Sequence, residues 1–440
     1  MSSTNEAFDV TIIGAGPGGY VAAIRAGQLG LRTAIIEKDK NLGGTCLLRG
    51  CIPTKSLLHT ADLLDEFKHA KEHGIIAGPV SLDFVQAQKR KGKVVLKLAK
   101  GVEFLMRKNK VQVFKGGAHI DGPGQIAVAG PHGSTQAVQT KNIVIATGSV
   151  PRSFPSLPID GEQIITSDEI LELKEIPKSL IVLGAGAVGV EFASMFARFG
   201  TDVTILELLP RLLPIEDEEI SAELAKSFKK QGIKAFTSAN FKSALIENGA
   251  VRVTAQINGE DREFIGEKFL VAVGRRAYTD GLGLENTRVE LEKGYIKIDD
   301  HMRTAEPNVY AIGDVIPTPW LAHVASAEGI LAVETIAGKN PRPINYDRVP
   351  GCTYCQPEVA SVGLTEAKAR ERGYNVKVGR FPIPIVAKAQ ILGATEGLVK
   401  VVSDARYDEV LGVHLIGPHA TELIVEGCVA LQMESTVEEL

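Results

Sequence analysis

Phe8-Asp-Val-Thr-Ile-Ile13 runs into Gly14-Ala-Gly16-Pro-Gly18-Gly19, and a helix-like segment then continues to Leu29 before Thr33-Ala-Ile-Ile36 and Glu37. The first run has the form of a short buried strand, and the glycines mark a tight turn that opens a helix. The same arrangement recurs. Ser179-Leu-Ile-Val-Leu183 leads into Gly184-Ala-Gly186-Ala-Val188-Gly189, a helical pattern, then Val203-Thr-Ile-Leu206 and Glu207. The acid stands 23 positions beyond the first glycine in both copies. One Gly-x-Gly-x-x-Gly is a weak signal. Two copies, each in strand–turn–helix–strand context with an acid at one spacing, are a much stronger sign of a nucleotide-binding unit used twice.

The residue types follow from the chemistry. The first glycine permits the tight turn, the second lets backbone approach a pyrophosphate, and the third lets helix pack on strand. The helix N-terminus then offers positive potential to the phosphates. Each carboxylate is suited to ribose hydroxyls, and Glu207 would repel a 2′-phosphate, so the second site is expected to prefer NAD to NADP. The alternative is a pair of glycine-rich turns with no ligand.

The 440 residues are enough for about three domains of ordinary size. Hydrophobic residues make up 44% and charged residues 23%, a balance that supports sizeable buried cores. Aromatics are 5% against 45 glycines, which favours α/β architecture with tight turns over a β-sandwich. Lys and Arg number 49 and Asp and Glu 53, for a net charge of −4 with no basic block, so nucleic acid is not an expected partner. The N-terminus lacks the basic start and apolar run of a signal peptide, and the apolar stretch Ser179–Val190 is too short for a bilayer. No membrane association is expected.

Five cysteines are too few for a secreted disulfide scaffold. Cys46 and Cys51 lie close together in Gly43-Gly44-Thr45-Cys46-Leu-Leu-Arg-Gly50-Cys51-Ile-Pro53-Thr-Lys55. A structural zinc would need a second ligand pair, and none lies nearby; no metal is expected. A disulfide carries a geometric condition. Residues five apart on a straight helix are roughly 8–9 Å apart, whereas bridged Cα atoms lie within about 7 Å, so the segment would have to bend, with Gly50 giving the freedom. Pro53 suits the first turn of a following helix, which would put Cys51 near a helix N-terminus, where a thiolate is stabilised. Two buried free cysteines remain the alternative.

The segment resembles the redox centre of the flavin-dependent pyridine nucleotide–disulfide oxidoreductases, and the resemblance runs along essentially the whole chain. It takes in Ala146-Thr147-Gly148, Ala272-Val-Gly274-Arg275, Tyr310-Ala-Ile-Gly313-Asp314, Leu321-Ala322-His323, Pro357-Glu-Val-Ala-Ser-Val-Gly-Leu-Thr365 and Leu411-Gly-Val-His-Leu-Ile-Gly-Pro-His419. Among those proteins the chain is most similar to the members that oxidise dihydrolipoamide, which serve the 2-oxo-acid dehydrogenase and glycine cleavage complexes through their lipoyl domains.

The resemblance implies a redox disulfide between Cys46 and Cys51, with Lys55 and Glu191 as further catalytic residues. It implies FAD on Gly14, Gly16, Gly18, Gly19, Glu37, Lys38, Gly44, Thr45, Lys55, Ala118, Thr147, Gly148, Asp314, Leu321, Ala322 and His323. NAD falls to Gly184, Gly186, Val188, Gly189, Glu207 and Gly274, with Glu191 close to the nicotinamide. The expected fold is α/β, with two Rossmann-like domains and an α+β interface domain. The FAD domain is expected at 1–150 and 280–345, the NAD domain at 151–279 and the interface domain at 346–440, in a cytoplasmic homodimer.

Family members end in a His-x-His-Pro segment whose histidine is the acid–base partner of the interchange thiol, supplied across the dimer. This sequence ends at Glu438-Glu-Leu440 with no His-Pro anywhere. The expectation is therefore a C-terminally incomplete interface domain and impaired thiol chemistry, since a missing general base commonly costs about 10²–10⁴-fold. His414 and His419 stand too early and are read as structural. Glutathione reductase is disfavoured by Glu207, and mercuric reductase by the absence of a C-terminal cysteine pair. A soluble transhydrogenase would not need Cys46 and Cys51. A catalytically idle flavoprotein scaffold is the rival from another class. Cys352 and Cys355 have redox-motif spacing, but far from both nucleotide turns; they are read as small buried hydrophobes, with a redox or metal role as the alternative. Arg49 and Leu48 depart from the commoner pattern, and Trp320 is read as packing.

Overall fold

The computed structural model describes residues 7–76, 78–130, 133–394 and 396–440. It divides into two units, one formed by residues up to Pro53 with Lys91–Val150 and Arg275–Tyr346, the other by Thr54–Arg90, Pro151–Gly274 and Asp347–Leu440.

The first unit is built on a parallel sheet whose strands run, in spatial order, Val309–Ala311, Ile143–Ile145, Val10–Ile13, Thr33–Glu37 and Gln112–Lys115. Val10–Ile13 is flanked by the strand that follows it on one side and by a strand from much later in the chain on the other. The strand order therefore reverses beside it, where open α/β sheets bind ligands at the carboxyl ends of their strands. Val10, Ile12, Ala34, Ile35 and Val144 are fully buried in the core of this unit. The helices Pro17–Gln28 and Ala322–Ile336 meet closely, with no room at Gly329 for a Cβ against the Gly18 carbonyl.

The second unit repeats the plan: Lys234–Phe236, Asp202–Leu206, Ser179–Leu183, Lys268–Val271 and Ile164–Ile165, all parallel. It also contains a five-stranded antiparallel sheet in the order Gly351–Thr353, Glu358–Gly363, Val410–Gly417, Leu398–Asp404 and Val376–Pro382. The helix Ala420–Met433 packs on that sheet, and Ile424 and Leu431 join Ala360, Val362 and Val413 in one cluster. Among the described residues no helix is long and apolar enough to cross a membrane.

Within the second unit the helix Glu218–Lys230 is tied to the antiparallel sheet by charge. Lys400, 2% exposed, donates to Asp217 at 2.9 Å and Glu219 at 2.6 Å and pairs with Glu366 at 2.9 Å. Arg380 forks onto Glu219 at 2.7 and 2.8 Å. Burial pulls the Lys400 ammonium down, and the hydrogen bonds to Glu219, Asp217 and Glu366 overcome it and hold it above its ordinary value. The hydrogen bond from Arg380, helped by Lys400 against burial, holds the Glu219 carboxyl down to about 2. A carboxyl lowered in the folded state stabilises the fold above its unfolded value and loses that contribution as pH falls toward its folded one. Resistance to urea is therefore expected to drop between about pH 4.5 and pH 2, and Glu219→Gln to flatten that part of a pH series. An unchanged slope would contradict it.

Candidate functional site

The two nucleotide turns are built alike. Gly14 and Gly184 have φ of +104° and +103°, a region that favours glycine. A side chain on either would run into the carbonyl of Ala146 or of Ala272, at the end of the neighbouring strand. At the third glycine of each motif, Gly19 or Gly189, a Cβ would overlap the carbonyl of the first. The helices Pro17–Gln28 and Ala187–Phe199 begin with no side-chain cap and no acidic residue in the first turn, which leaves their positive ends open to an anion.

The acids also correspond. Glu37 accepts from the Ala15 N–H at 2.8 Å and the Asp39 N–H at 2.8 Å. Glu207 accepts from Ala185 at 2.5 Å and Leu209 at 2.8 Å. Burial raises the Glu37 carboxyl, against the Ala15 hydrogen bond and the charges of Lys115, Arg49 and Lys38. The carbonyl of Ala15 accepts from Gly43 N at 2.9 Å and that of Ala185 from Leu213 N at 2.9 Å. Both pairs span the same distance in sequence, so the cysteine segment of the first copy occupies the place of a plain loop in the second.

Gly44 then lies against Gly16, where a Cβ would overlap the Gly16 Cα, and opens a short helix, Gly44–Arg49, that carries Thr45 and Cys46. Gly50 interrupts it, and a second helix, Cys51–His69, starts at the next residue. That break meets the geometric condition set by the spacing: Cys46 and Cys51 form a disulfide with Cα atoms 4.6 Å apart. Both cysteines are half-buried. Arg49 pairs with Asp39.

Apart from Lys55, the other residues assigned to FAD lie within the first unit. Thr147 Oγ1 donates to the Tyr278 carbonyl at 2.6 Å, and the Tyr278 N–H donates to Gly148, at φ +71°. The space beside Gly148 is open. Lys38 lies 3.7 Å from the centre of the Tyr278 ring. Asp314, in the turn Gly313–Val315, accepts from Ser149 at 2.5 Å, and Ser149 accepts from Arg275 at 2.7 Å. Burial raises the Asp314 carboxyl, with Ser149 and Arg275 opposing. Leu321 precedes the helix on which Ala322 and His323 stand, and Ala118 lies in the strand Gly117–Gly122, opposite Val128. The open helix N-terminus, the space at Gly148 and the half-buried donors and acceptors around it fit a dinucleotide.

In the second unit Lys55 Nζ bonds both oxygens of Glu191 at 2.7 Å. Glu191 lies on the helix Ala187–Phe199, whose first turn carries Val188 and Gly189, and its side chain is 7% exposed. Gly186 and Gly274 have nothing within 4 Å of a Cβ position. Among the described residues no group of three or more His, Cys, Asp or Glu is arranged to hold a metal.

Three residues here escaped the reading of the sequence. Glu328, fully buried, accepts from Gly313 N at 2.7 Å and Tyr346 Oη at 3.0 Å and so steadies the turn before Asp314. Ser149 joins Asp314 to Arg275. Tyr354 N donates to Glu191 at 2.9 Å. Glu328 is flanked by Ala327 and Gly329-Ile-Leu-Ala-Val333, and a carboxylate beside so apolar a run was the signal available for it; the other two carry none. Cys352 and Cys355 do not face each other: Cys352 packs with Cys428 under the helix Ala420–Met433, whereas Cys355 joins the cluster of Phe192 and Phe196. Burial pushes the Cys352 thiol up to about 11 and Cys355 higher still. His414 is buried with Nε2 at 3.0 Å from the Leu364 carbonyl, and His419 precedes the last helix. Trp320 donates to Ile316 O at 3.1 Å and packs edge-on against Tyr295.

Residues 8–329 match the pyridine nucleotide-disulphide oxidoreductase family, and 349–440 match its dimerisation domain. The chain belongs to this family, and is an oxidoreductase with FAD and NAD as cofactors. It is 46% identical to the dihydrolipoyl dehydrogenase of Bacillus subtilis, over 98% of this chain and 93% of that one. It is 48% identical to that of Chlorobaculum tepidum, over 95% and 89%. Among solved structures, LpdA from Mycobacterium tuberculosis superposes with a TM-score of 0.90 at 29% identity, over 98% and 94% of the two chains. The HOCl-induced flavoprotein disulfide reductase RclA from Escherichia coli, in its Cu(II) complex, gives 0.88 at 28%, over 98% and 94%.

Proposed function

We propose that this protein oxidises dihydrolipoamide to lipoamide and passes the electrons to NAD⁺, with Cys46 and Cys51 as the exchanging pair. The observation that carries the proposal is the disulfide itself, closed at the first residue of a helix whose Lys55 pairs with Glu191 on the second nucleotide-binding helix. A dihydrolipoamide thiolate attacks Cys46 Sγ, the Cys46–Cys51 bond breaks, and Cys51 leaves as a thiolate. The second thiol of the substrate gives its proton to solvent, and its thiolate attacks the substrate sulfur bonded to Cys46, closing the lipoamide ring and releasing Cys46 as a thiolate. The positive end of the helix and the Lys55 ammonium one turn on stabilise the Cys51 thiolate. FAD, when bound, supplies the two-electron acceptor between the dithiol and NAD⁺. Glu37 and Asp314 are suited to its ribose and ribitol hydroxyls, and the open turn at Gly16 to its pyrophosphate.

The residues assigned to FAD and NAD from the sequence are proposed in those roles. The domain division is proposed as FAD-binding 1–150 and 280–345, NAD-binding 151–279 and interface 346–440. The match to a dimerisation domain supports a homodimer, and the names of the relatives support lipoyl domains of a 2-oxo-acid dehydrogenase or glycine cleavage complex as partners. Three free cysteines, Cys352, Cys355 and Cys428, fit a reducing, cytoplasmic setting.

Steady-state NAD⁺ reduction by dihydrolipoamide tests the reading. Turnover that needs both substrates is expected; dye reduction by NADH with no dithiol turnover would overturn it. Glu207 gives a second test. Juxtaposing like charges costs several kcal/mol and each 1.4 kcal/mol is tenfold, so Glu207→Ala is expected to raise kcat/KM for NADPH relative to NADH by more than about tenfold. An unchanged ratio would remove Glu207 from the ribose site.

A further inference from the structure

The segment Cys352-Thr-Tyr354-Cys355 has an outcome that its cysteine spacing does not suggest. The strand Gly351–Thr353 turns Cys352 toward the last helix, and Cys355, 1% exposed, is anchored beside Phe192 and Phe196 on the helix Ala187–Phe199. The next residue is pinned to the same helix, Gln356 N donating to Ser194 Oγ at 3.0 Å. Between these anchors, Tyr354 sends its backbone N–H to Glu191 Oε1 at 2.9 Å and sets its ring 4.6 Å from Lys55 Nζ. Lys55 is thus held by a carboxylate and by an aromatic face, both within the second unit.

We propose that Tyr354 is a positioning residue for the Lys55–Glu191 pair, acting through its ring on the ammonium and through its backbone on the carboxylate. The two contacts act together. The N–H takes up part of the negative charge of Glu191, which leaves more of the Lys55 charge effective toward its other neighbours. The ring face attracts the ammonium without introducing a second anion. A second carboxylate in the place of the ring would leave the cluster with a net negative charge, and an aliphatic side chain would leave the position of Lys55 to Glu191 alone. Lys55 stands four residues beyond Cys51 on one continuous helix, hence on the same face. Where the ammonium is held therefore bears on how readily Cys51 exists as a thiolate. The proposal rests on the reading of Cys46–Cys51 as the redox pair.

The test is the rate of Cys51 alkylation by iodoacetamide against pH, read by peptide mass on dithiothreitol-reduced holoenzyme. Wild type, Tyr354→Phe and Tyr354→Leu are compared. All three keep the backbone N–H, and only the leucine loses the ring. The leucine variant is expected to move the midpoint of the profile upward by about half a pH unit, about 0.7 kcal/mol at 1.36 kcal/mol per unit, while phenylalanine keeps the wild-type midpoint. A leucine midpoint equal to wild type would overturn the proposal, and so would a phenylalanine shift as large as that of leucine. If the leucine variant does not fold, Tyr354→Met takes its place under the same criteria. Whether NADH reduces Cys46–Cys51 in wild type is scored separately: failure there counts against the redox reading, and a flat comparison of variants counts against Tyr354.

Discussion

Cys51→Ser is expected to reduce dihydrolipoamide-dependent NAD⁺ reduction to background while NADH-driven dye reduction persists. The reaction needs a sulfur that can leave Cys46 as a thiolate when the substrate attacks, and serine can neither form the disulfide nor leave in that way. The substitution is close in volume at a half-buried position, and Cys51 begins its helix, where serine is well tolerated, so folding should survive. Cys46→Ser is expected to have the same effect because it removes the sulfur that is attacked. Dithiol turnover retained at more than a few per cent by either variant would place the exchange elsewhere. Cys352 and Cys428 share the cluster under the last helix and Cys355 belongs to another, all within the second unit, and replacing Cys355 should disturb packing rather than electron transfer.

The largest expected loss of stability comes from a residue with no part in the chemistry. Lys400 lies among Asp217, Glu219 and Glu366 with 2% of its side chain exposed, and the Asp217 side chain is 3% exposed. Lys400→Met fills a similar volume but leaves Asp217 buried without its ammonium, and among the described residues Arg380 pairs with Glu219 and Glu366. Removing one partner of a buried ion pair typically costs about 3–5 kcal/mol. The first unfolding transition in urea is expected to fall accordingly. Asp217 also accepts from Glu219 N at 3.0 Å and caps its helix, so an unpaired carboxylate there has little room to move toward water. A loss under about 1 kcal/mol would show that it finds other compensation. The double variant Lys400→Met, Asp217→Asn should recover part of the loss, because it removes the stranded charge.

Much of the fold can be read from the glycines, and the reason is stereochemical. Gly14 and Gly184 occupy a left-handed conformation against a neighbouring strand's carbonyl, so the residue type declares the geometry. The acid after the second strand declares itself by spacing. The disulfide posed a condition, a bend between Cys46 and Cys51, and Gly50 meets it by separating two helices. The remaining parts depend on pairings that residue type does not encode. Glu191 meets Lys55 across 136 positions and Tyr354 across 163, and each of these residues alone reads as an ordinary helix or loop position. Cys352 and Cys355 show the converse. Their spacing suggests a pair, yet strand geometry turns the two thiols into different clusters. Glu328 and Lys400 are charges placed in apolar contexts, which marks them as unusual without naming their partners.

In the proposed reaction Cys46 and Cys51 carry electrons between a dithiol and NAD⁺. The most direct measurement is anaerobic: one equivalent of dihydrolipoamide is added to the FAD-loaded protein, and new thiols are counted by alkylation and peptide mass before and after NAD⁺. Two new thiols are expected, at Cys46 and Cys51, which disappear on adding NAD⁺ as one equivalent of NADH absorbance grows. A Cys46–Cys51 bond still intact after dihydrolipoamide, or NADH formed without its opening, would rule out electron transfer through this pair.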